Sequence, residues 1–229
     1  MMRKIIGKII DMVLPPVKAE EASKEADGEA PPKSELKTIS LEQLLGGDAP
    51  KEPDLRVIGL YSAVEDEKVA ELTQALIYLN EVNRLLPEDK EKKPVEFYIN
   101  TYGGSADDMF ALYDVMQTVM EETEIHTIGV GKVMSAGTLL LAAGTKGKRK
   151  IGKNCRIMIH NVSSGNFGIL PNLANELEAI QRLQEDYIAA MVENTKFTRK
   201  KLEKLLNEKV NIYLDAEEAI KYGLADEIM

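Results

Sequence analysis

Residues 95–119 read VEFYINTYGGSADDMFALYDVMQTV. Val95, Phe97 and Ile99 alternate with Glu96, Tyr98 and Asn100, the period-two pattern of a strand with one buried face. After the pair Gly103-Gly104 the period changes, and Met109, Leu112, Val115, Met116 and Val119 recur at helical spacing. Strand, tight glycine turn and helix in one short run form the repeating unit of an α/β fold.

The same unit recurs on both sides. Arg56–Leu60 reads as a short strand, and Val69, Leu72, Leu76 and Leu79 then mark one face of a helix. Ile125–Val130 reads as a strand, followed by a Gly-containing turn and a buried helix over Ser135–Ala143. A two-stranded or hairpin stretch over Lys150–Ile159 ends at His160. A long helix from about Pro171 to Glu193 carries a stripe of Leu173, Leu177, Ile180, Tyr187, Ile188 and Met191. A helix over Arg199–Glu208, a short strand at Asn211–Leu214 and a helix over 215–222 close the chain. Asp215 and Glu218 stand in capping-box positions there, and Gly223 stands where a C-terminal cap belongs. The alternation predicts an α/β domain over residues 54–229 with a mainly parallel sheet.

The N-terminal part differs. Residues 17–53 are rich in Lys, Glu, Ala, Pro and Gly, too poor in large apolar groups to offset their ordering entropy, and are expected to be linker, propeptide or disordered chain. The opening MMRKIIGKIIDMVLPP resembles a signal peptide, but Lys8 and Asp11 break its apolar run, which is too short to span a bilayer. An amphipathic tail without stable membrane insertion is expected, and residues 1–53 are taken together as an extension.

Net charge is −9, which argues against a nucleic-acid-binding chain. The local run Lys146, Lys148, Arg149 and Lys150 reads as a solvated strand edge guarded by positive charge. One cysteine, Cys155, forbids an intrachain disulfide and fits a reducing, cytoplasmic setting. With two histidines and that cysteine, a zinc site is not expected. Neither a dinucleotide fingerprint nor a phosphate loop is present, so no cofactor is expected.

Two residues have settings suited to catalysis. Ser135 stands at the start of an apolar helix, where free backbone N–H groups can bind a developing oxyanion, provided that a base activates the hydroxyl. The structural alternative is an N-cap serine. His160 ends a strand and precedes a loop, at the kind of sheet end where α/β folds build sites; its alternative is a satisfied strand-end histidine. His126 lies within a strand pattern and is assigned no role.

Three segments, Tyr98–Gly104, Gly131–Gly144 around Val-Met-Ser135-Ala-Gly, and Arg156-Ile-Met-Ile-His160, together resemble the proteolytic subunit of the Clp protease. The resemblance continues through the long helix to Asp215-Ala-Glu-Glu-Ala-Ile-Lys-Tyr-Gly-Leu224, from about Leu55 to Ile228. It implies a crotonase-type spiral of strand–helix units with a long protruding handle helix. It also implies seven-membered homo-oligomeric rings stacked in pairs around enclosed sites, served by an AAA+ unfoldase. Carried over by position, it makes Ser135 the nucleophile, His160 the general base, and Gly104 and Ala136 the oxyanion-hole amides of a serine endopeptidase acting on peptides or unfolded proteins. Asn211 falls where the family has an aspartate as third member, which implies a slow or conditionally active enzyme.

Further departures are Val162 and Tyr102 in place of prolines and Val210 in place of an arginine used in ring contacts. The N-terminal segment carries no recognisable pore-loop pattern. Two other readings stay open: a protease dedicated to one assembly, such as a phage prohead protease, and a catalytically weak or inactive structural subunit or acyl-CoA enzyme of the same fold.

Overall fold

The computed structural model describes residues 55–165, 167–208 and 210–229; the extension assigned to residues 1–53 lies outside the described residues. In chain order the elements are β1 (Val57–Leu60), α1 (Asp66–Arg84), β2 (Val95–Thr101), α2 (Ala106–Met120), β3 (Ile125–Met134) and α3 (Ala136–Ala142). They continue with β4 (Lys150–Ile151), β5 (Arg156–Ile159), α4 (Leu170–Asn194), α5 (Arg199–Glu208), β6 (Ile212–Leu214), α6 (Ala216–Tyr222) and β7 (Glu227–Ile228).

The strands β1-β2-β3-β4-β7 are all parallel neighbours, so helices must carry the chain back between most of them. β5 also joins β3 in parallel, and β6 is antiparallel to β5. The fold class is therefore the expected mainly parallel α/β arrangement.

Its core forms where amphipathic faces meet the sheet. β2 buries Val95, Phe97 and Ile99, while α1 contributes Val69, Leu72, Leu76 and Leu79, and α2 contributes Met109, Leu112, Met116 and Val119. All seven residues of α3 are buried, which explains why its sequence, AGTLLLA, is apolar all round. Each large side chain so buried contributes roughly 1.5–3 kcal/mol.

β3 organises the sheet. It runs on past Val130, where a turn is expected from sequence, to Met134. Within this continuation lies Gly131, whose φ of 65° is the left-handed conformation that glycine tolerates. Against β2 its register shifts at this point: Ile99 pairs with Gly129, but Thr101 with Val133. On the opposite edge β3 forks. Ile128 and Gly129 pair with β4, whereas Lys132 to Met134 pair with β5. The stretch over 150–159 is thus two-stranded, one of its two expected forms, and not a hairpin: β4 and β5 are separate parallel partners of one strand.

The basic run also differs from expectation. Arg149 is 3% exposed. Its Nε and Nη2 donate to Asp226 at 2.8 and 2.6 Å, and its Nη1 donates to the carbonyls of Ala142 and Asn194 at 2.9 and 2.7 Å. Those are the last residues of α3 and α4, so one guanidinium caps two helix C-termini. Burial works against charge on Asp226, but the side-chain and backbone hydrogen bonds from Arg149, its charge, and the Gly147 N–H hold the carboxyl below the usual carboxylate range.

The long helix is buried along its last turns, at Tyr187, Ile188, Ala190 and Met191, but its first half is open. Phe167, Ile169, Leu170 and Leu177 are all exposed. Among the described residues no helix is long and apolar enough to cross a membrane, and no cluster of His, Cys, Asp or Glu could hold a metal ion.

Candidate active site

The C-terminal ends of β2, β3 and β5 and the start of β6 share one edge of the sheet. After β2 comes the glycine turn. Thr101 Oγ1 donates to the carbonyl of Ser62 at 2.6 Å and accepts from the Gly103 N–H at 3.0 Å. Val64 braces the turn from outside: its N–H donates to Gly103 O, and its carbonyl accepts from Ser105 N–H. The Gly103 N–H is thereby used, while that of Gly104 has no backbone partner among the described residues.

After β3 comes Ser135, half-buried at the N-cap of α3. Its φ of 53° and ψ of −124° make it the only non-glycine residue with positive φ among the described residues. A side chain held there costs of order 1–3 kcal/mol. The Ser135 N–H donates to Met158 O at 2.7 Å, and its carbonyl accepts from the N–H and Oγ1 of Thr138 at 2.9 and 2.6 Å. Thr138 Oγ1 also lies 3.0 Å from the hydroxyl of buried Tyr187, whose pKa burial pushes up to about 12 against the opposing bond to Thr138. Strand β5 and helices α3 and α4 together hold the strained turn.

Gly103 makes that turn sterically feasible. Its φ is 96°, and a Cβ there would lie 2.6 Å from Ser135 Cβ and 2.9 Å from Met134 O. Only hydrogen fits. Unlike Ser105, whose hydroxyl caps α2 by accepting from Asp108 N–H at 3.2 Å, Ser135 makes no side-chain capping bond. The N-cap alternative for its hydroxyl therefore fails. Its neighbour Ala136 opens α3 with an N–H that has no intrahelical acceptor.

His160 follows β5 directly. Two clamps hold the loop after it: Asn161 Nδ2 donates to Leu206 O at 3.1 Å, and Val162 N–H donates to Gln184 Oε1 at 2.7 Å. Ser135, Ala136, Gly104 and His160 all line one open cleft of about 710 Å³. Asn211 does not line it. Because Ile159 pairs with Ile212, Asn211 faces His160 one step beyond the β5–β6 ladder. Among the described residues neither Ser135 Oγ nor the Asn211 side chain is hydrogen-bonded to the imidazole; catalytic bonds commonly tighten only in the substrate complex. Asp215 is committed elsewhere, accepting from Glu218 N–H at 2.9 Å in a complete capping box. His126 Nε2 lies 2.8 Å from the Glu124 carboxylate, outside the cleft.

Sequence reading missed Gly103 as the close neighbour of Ser135, and the support from Thr101 and Gln184. The glycine pair was the available signal; the two polar residues offered none.

The sequence profile of the Clp protease family matches residues 53–229. The chain belongs to the Clp protease family. The ATP-dependent Clp protease proteolytic subunit of Deinococcus radiodurans is 33% identical over 174 residues, covering 76% of this chain and 80% of that protein. The matched region of this Clp protease family member includes every residue lining the cleft.

Proposed function

We propose that this chain is a serine endopeptidase in which Ser135 attacks the scissile carbonyl and His160 takes its proton. The observation that carries this reading is the strained, uncapped Ser135, aimed into a cleft that it shares with His160. A hydroxyl is a weak nucleophile without a base, and at this position the imidazole has room to act from the same cleft wall. The N–H groups of Gly104 and Ala136 receive the oxyanion, where fixed donors are commonly the largest single contribution to catalysis. His160 then returns the proton to the leaving amine, and water releases the acyl group by the reverse sequence. The reading is tested with a fluorophosphonate probe and a small fluorogenic peptide: the protein is expected to be labelled and to hydrolyse the peptide, and failure of both would overturn it.

Asn211 serves as third member, orienting the imidazole without supplying a countercharge. Asn211→Asp is expected to raise kcat on a small peptide at least tenfold, about 1.4 kcal/mol of barrier, with little change in KM, because the added charge acts on the imidazolium formed during attack. A loss of activity in a folded variant would mean that the site is built around a neutral amide.

The active form is a ring, heptameric and stacked in pairs through α4, acting on peptides or unfolded proteins in the cytoplasm, with an AAA+ unfoldase as feeder. Exposed Phe167, Ile169, Leu170 and Leu177 on and just before the first half of α4 support the stacking, since an apolar face of this kind is stable when covered. Light scattering is expected to give a mass many times 25.4 kDa, and a monomer at micromolar concentration would contradict it. The peptidase unit is residues 54–229, with residues 1–53 as an extension outside it.

A further inference from the structure

The floor of the cleft beside Ser135 is apolar, made by Met109, Leu183 and Tyr187, and its rim is acidic. Asp107 stands three residues beyond Gly104 in the first turn of α2, and Asp186 faces the same cleft from α4. Both are exposed, and neither forms an ion pair among the described residues. The guanidinium in the lining, that of Arg182, is engaged by Glu178 at 2.5 Å and leaves the two aspartates uncompensated. Asp107 also favours the α2 dipole from its first turn, but Asp108 and the Ser105 cap already serve that end.

Resting on the peptidase reading above, we infer that the cleft selects substrates with lysine or arginine at the residue that supplies the scissile carbonyl. The carbonyl is fixed by Gly104 and Ala136, and the chain leads from Gly104 directly into Asp107 and Met109. The side chain next to that carbonyl therefore enters the cleft along α2. A long cationic side chain matches both parts of the wall: its methylene stem lies on the apolar floor while its head stays at the wet rim against carboxylate. Leucine would satisfy the floor alone, and glutamate would meet repulsion.

The test is the rate of hydrolysis, by the full-length protein, of four fluorogenic peptides alike except for Lys, Arg, Leu or Glu at that residue. The expected order of kcat/KM is Lys and Arg at least tenfold above Leu, with Glu lowest. The Asp107→Asn/Asp186→Asn double variant is expected to lower the Lys-to-Leu ratio at least tenfold, and Asp107→Lys to move the preference from Lys towards Glu. Fluorophosphonate labelling of each variant reports that the serine site is intact. Hydrolysis with Leu equal to or above Lys, or a ratio unmoved in labelled variants, overturns the inference and leaves the peptidase reading standing. Absence of both hydrolysis and labelling in the unmodified protein overturns both.

Discussion

Ser135→Ala is expected to reduce peptide hydrolysis by on the order of 10⁵- to 10⁶-fold and to abolish fluorophosphonate labelling. At 1.36 kcal/mol per decade this is about 7–8 kcal/mol of transition-state stabilisation. What survives is the contribution of substrate binding and of the Gly104 and Ala136 amides, which need no nucleophile. The fold should be unaffected, because the Ser135 hydroxyl makes no capping bond and the turn is held by backbone bonds to Met158 and Thr138. Alanine has the same Cβ and pays the same conformational cost at φ 53°. Unfolding curves of the two proteins should therefore overlay while their rates differ by orders of magnitude. A variant that still hydrolyses peptides at the original rate would remove Ser135 from the mechanism.

Arg149→Met is expected to lower stability by about 3–5 kcal/mol, the usual cost of taking one partner from a buried charged network. At 2–4 °C per kcal/mol for a domain of this size, the thermal midpoint should fall by about 10 °C. Methionine restores volume but removes the guanidinium from Asp226, which keeps only the N–H groups of Gly147 and residue 149. It also takes the side-chain donor from the Ala142 carbonyl and leaves the Asn194 carbonyl to Lys146 alone. The linked pH dependence has a definite sign. Because the folded state holds the Asp226 carboxyl below its ordinary value, its contribution is fully present above the unfolded carboxylate pKa of about 3.9 and is lost as pH falls through the depressed value. Acid should narrow the gap between the two proteins; a gap that widened on acidification would contradict the assignment.

Elements that bury one regular face were legible from sequence. β2, α1 and α2 each repeat their apolar residues at the period of the structure they form, and the burial of Phe97, Leu76 and Met116 follows that pattern. The second half of β3 was not, because Gly131-Lys132 resembles a turn and the partners that extend the strand, Thr101 of β2 and the whole of β5, lie more than twenty residues away in sequence. Arg149 was misread for a similar reason. Its neighbours Lys146, Lys148 and Lys150 suggest a solvated edge, while its partner Asp226 is 77 residues away. At the site, Ser135 and His160 stood out by residue type and position. The inverted φ of Ser135 and the fit of Gly103 against it are properties of tertiary packing. The spacing of Leu173, Leu177 and Ile180 identified the helix, whereas the expectation that it would protrude came from the family resemblance and not from the spacing.

The fork in β3 separates two kinds of vulnerability. One branch, through β4 to β7, brings Arg149 to Asp226 and closes the C-terminus onto the body. The other, through β5 to β6, brings His160 opposite Asn211. Each branch pairs with its own stretch of β3, divided at Gly131. Inherited changes along the first should accumulate as altered tolerance of heat and acid, with turnover untouched wherever the protein stays folded. Changes along the second should alter rate and stability together wherever they reach the core residues Ile157, Ile159, Ile212 or Leu214. A lineage of such chains could adjust endurance without touching chemistry, but not chemistry without touching endurance.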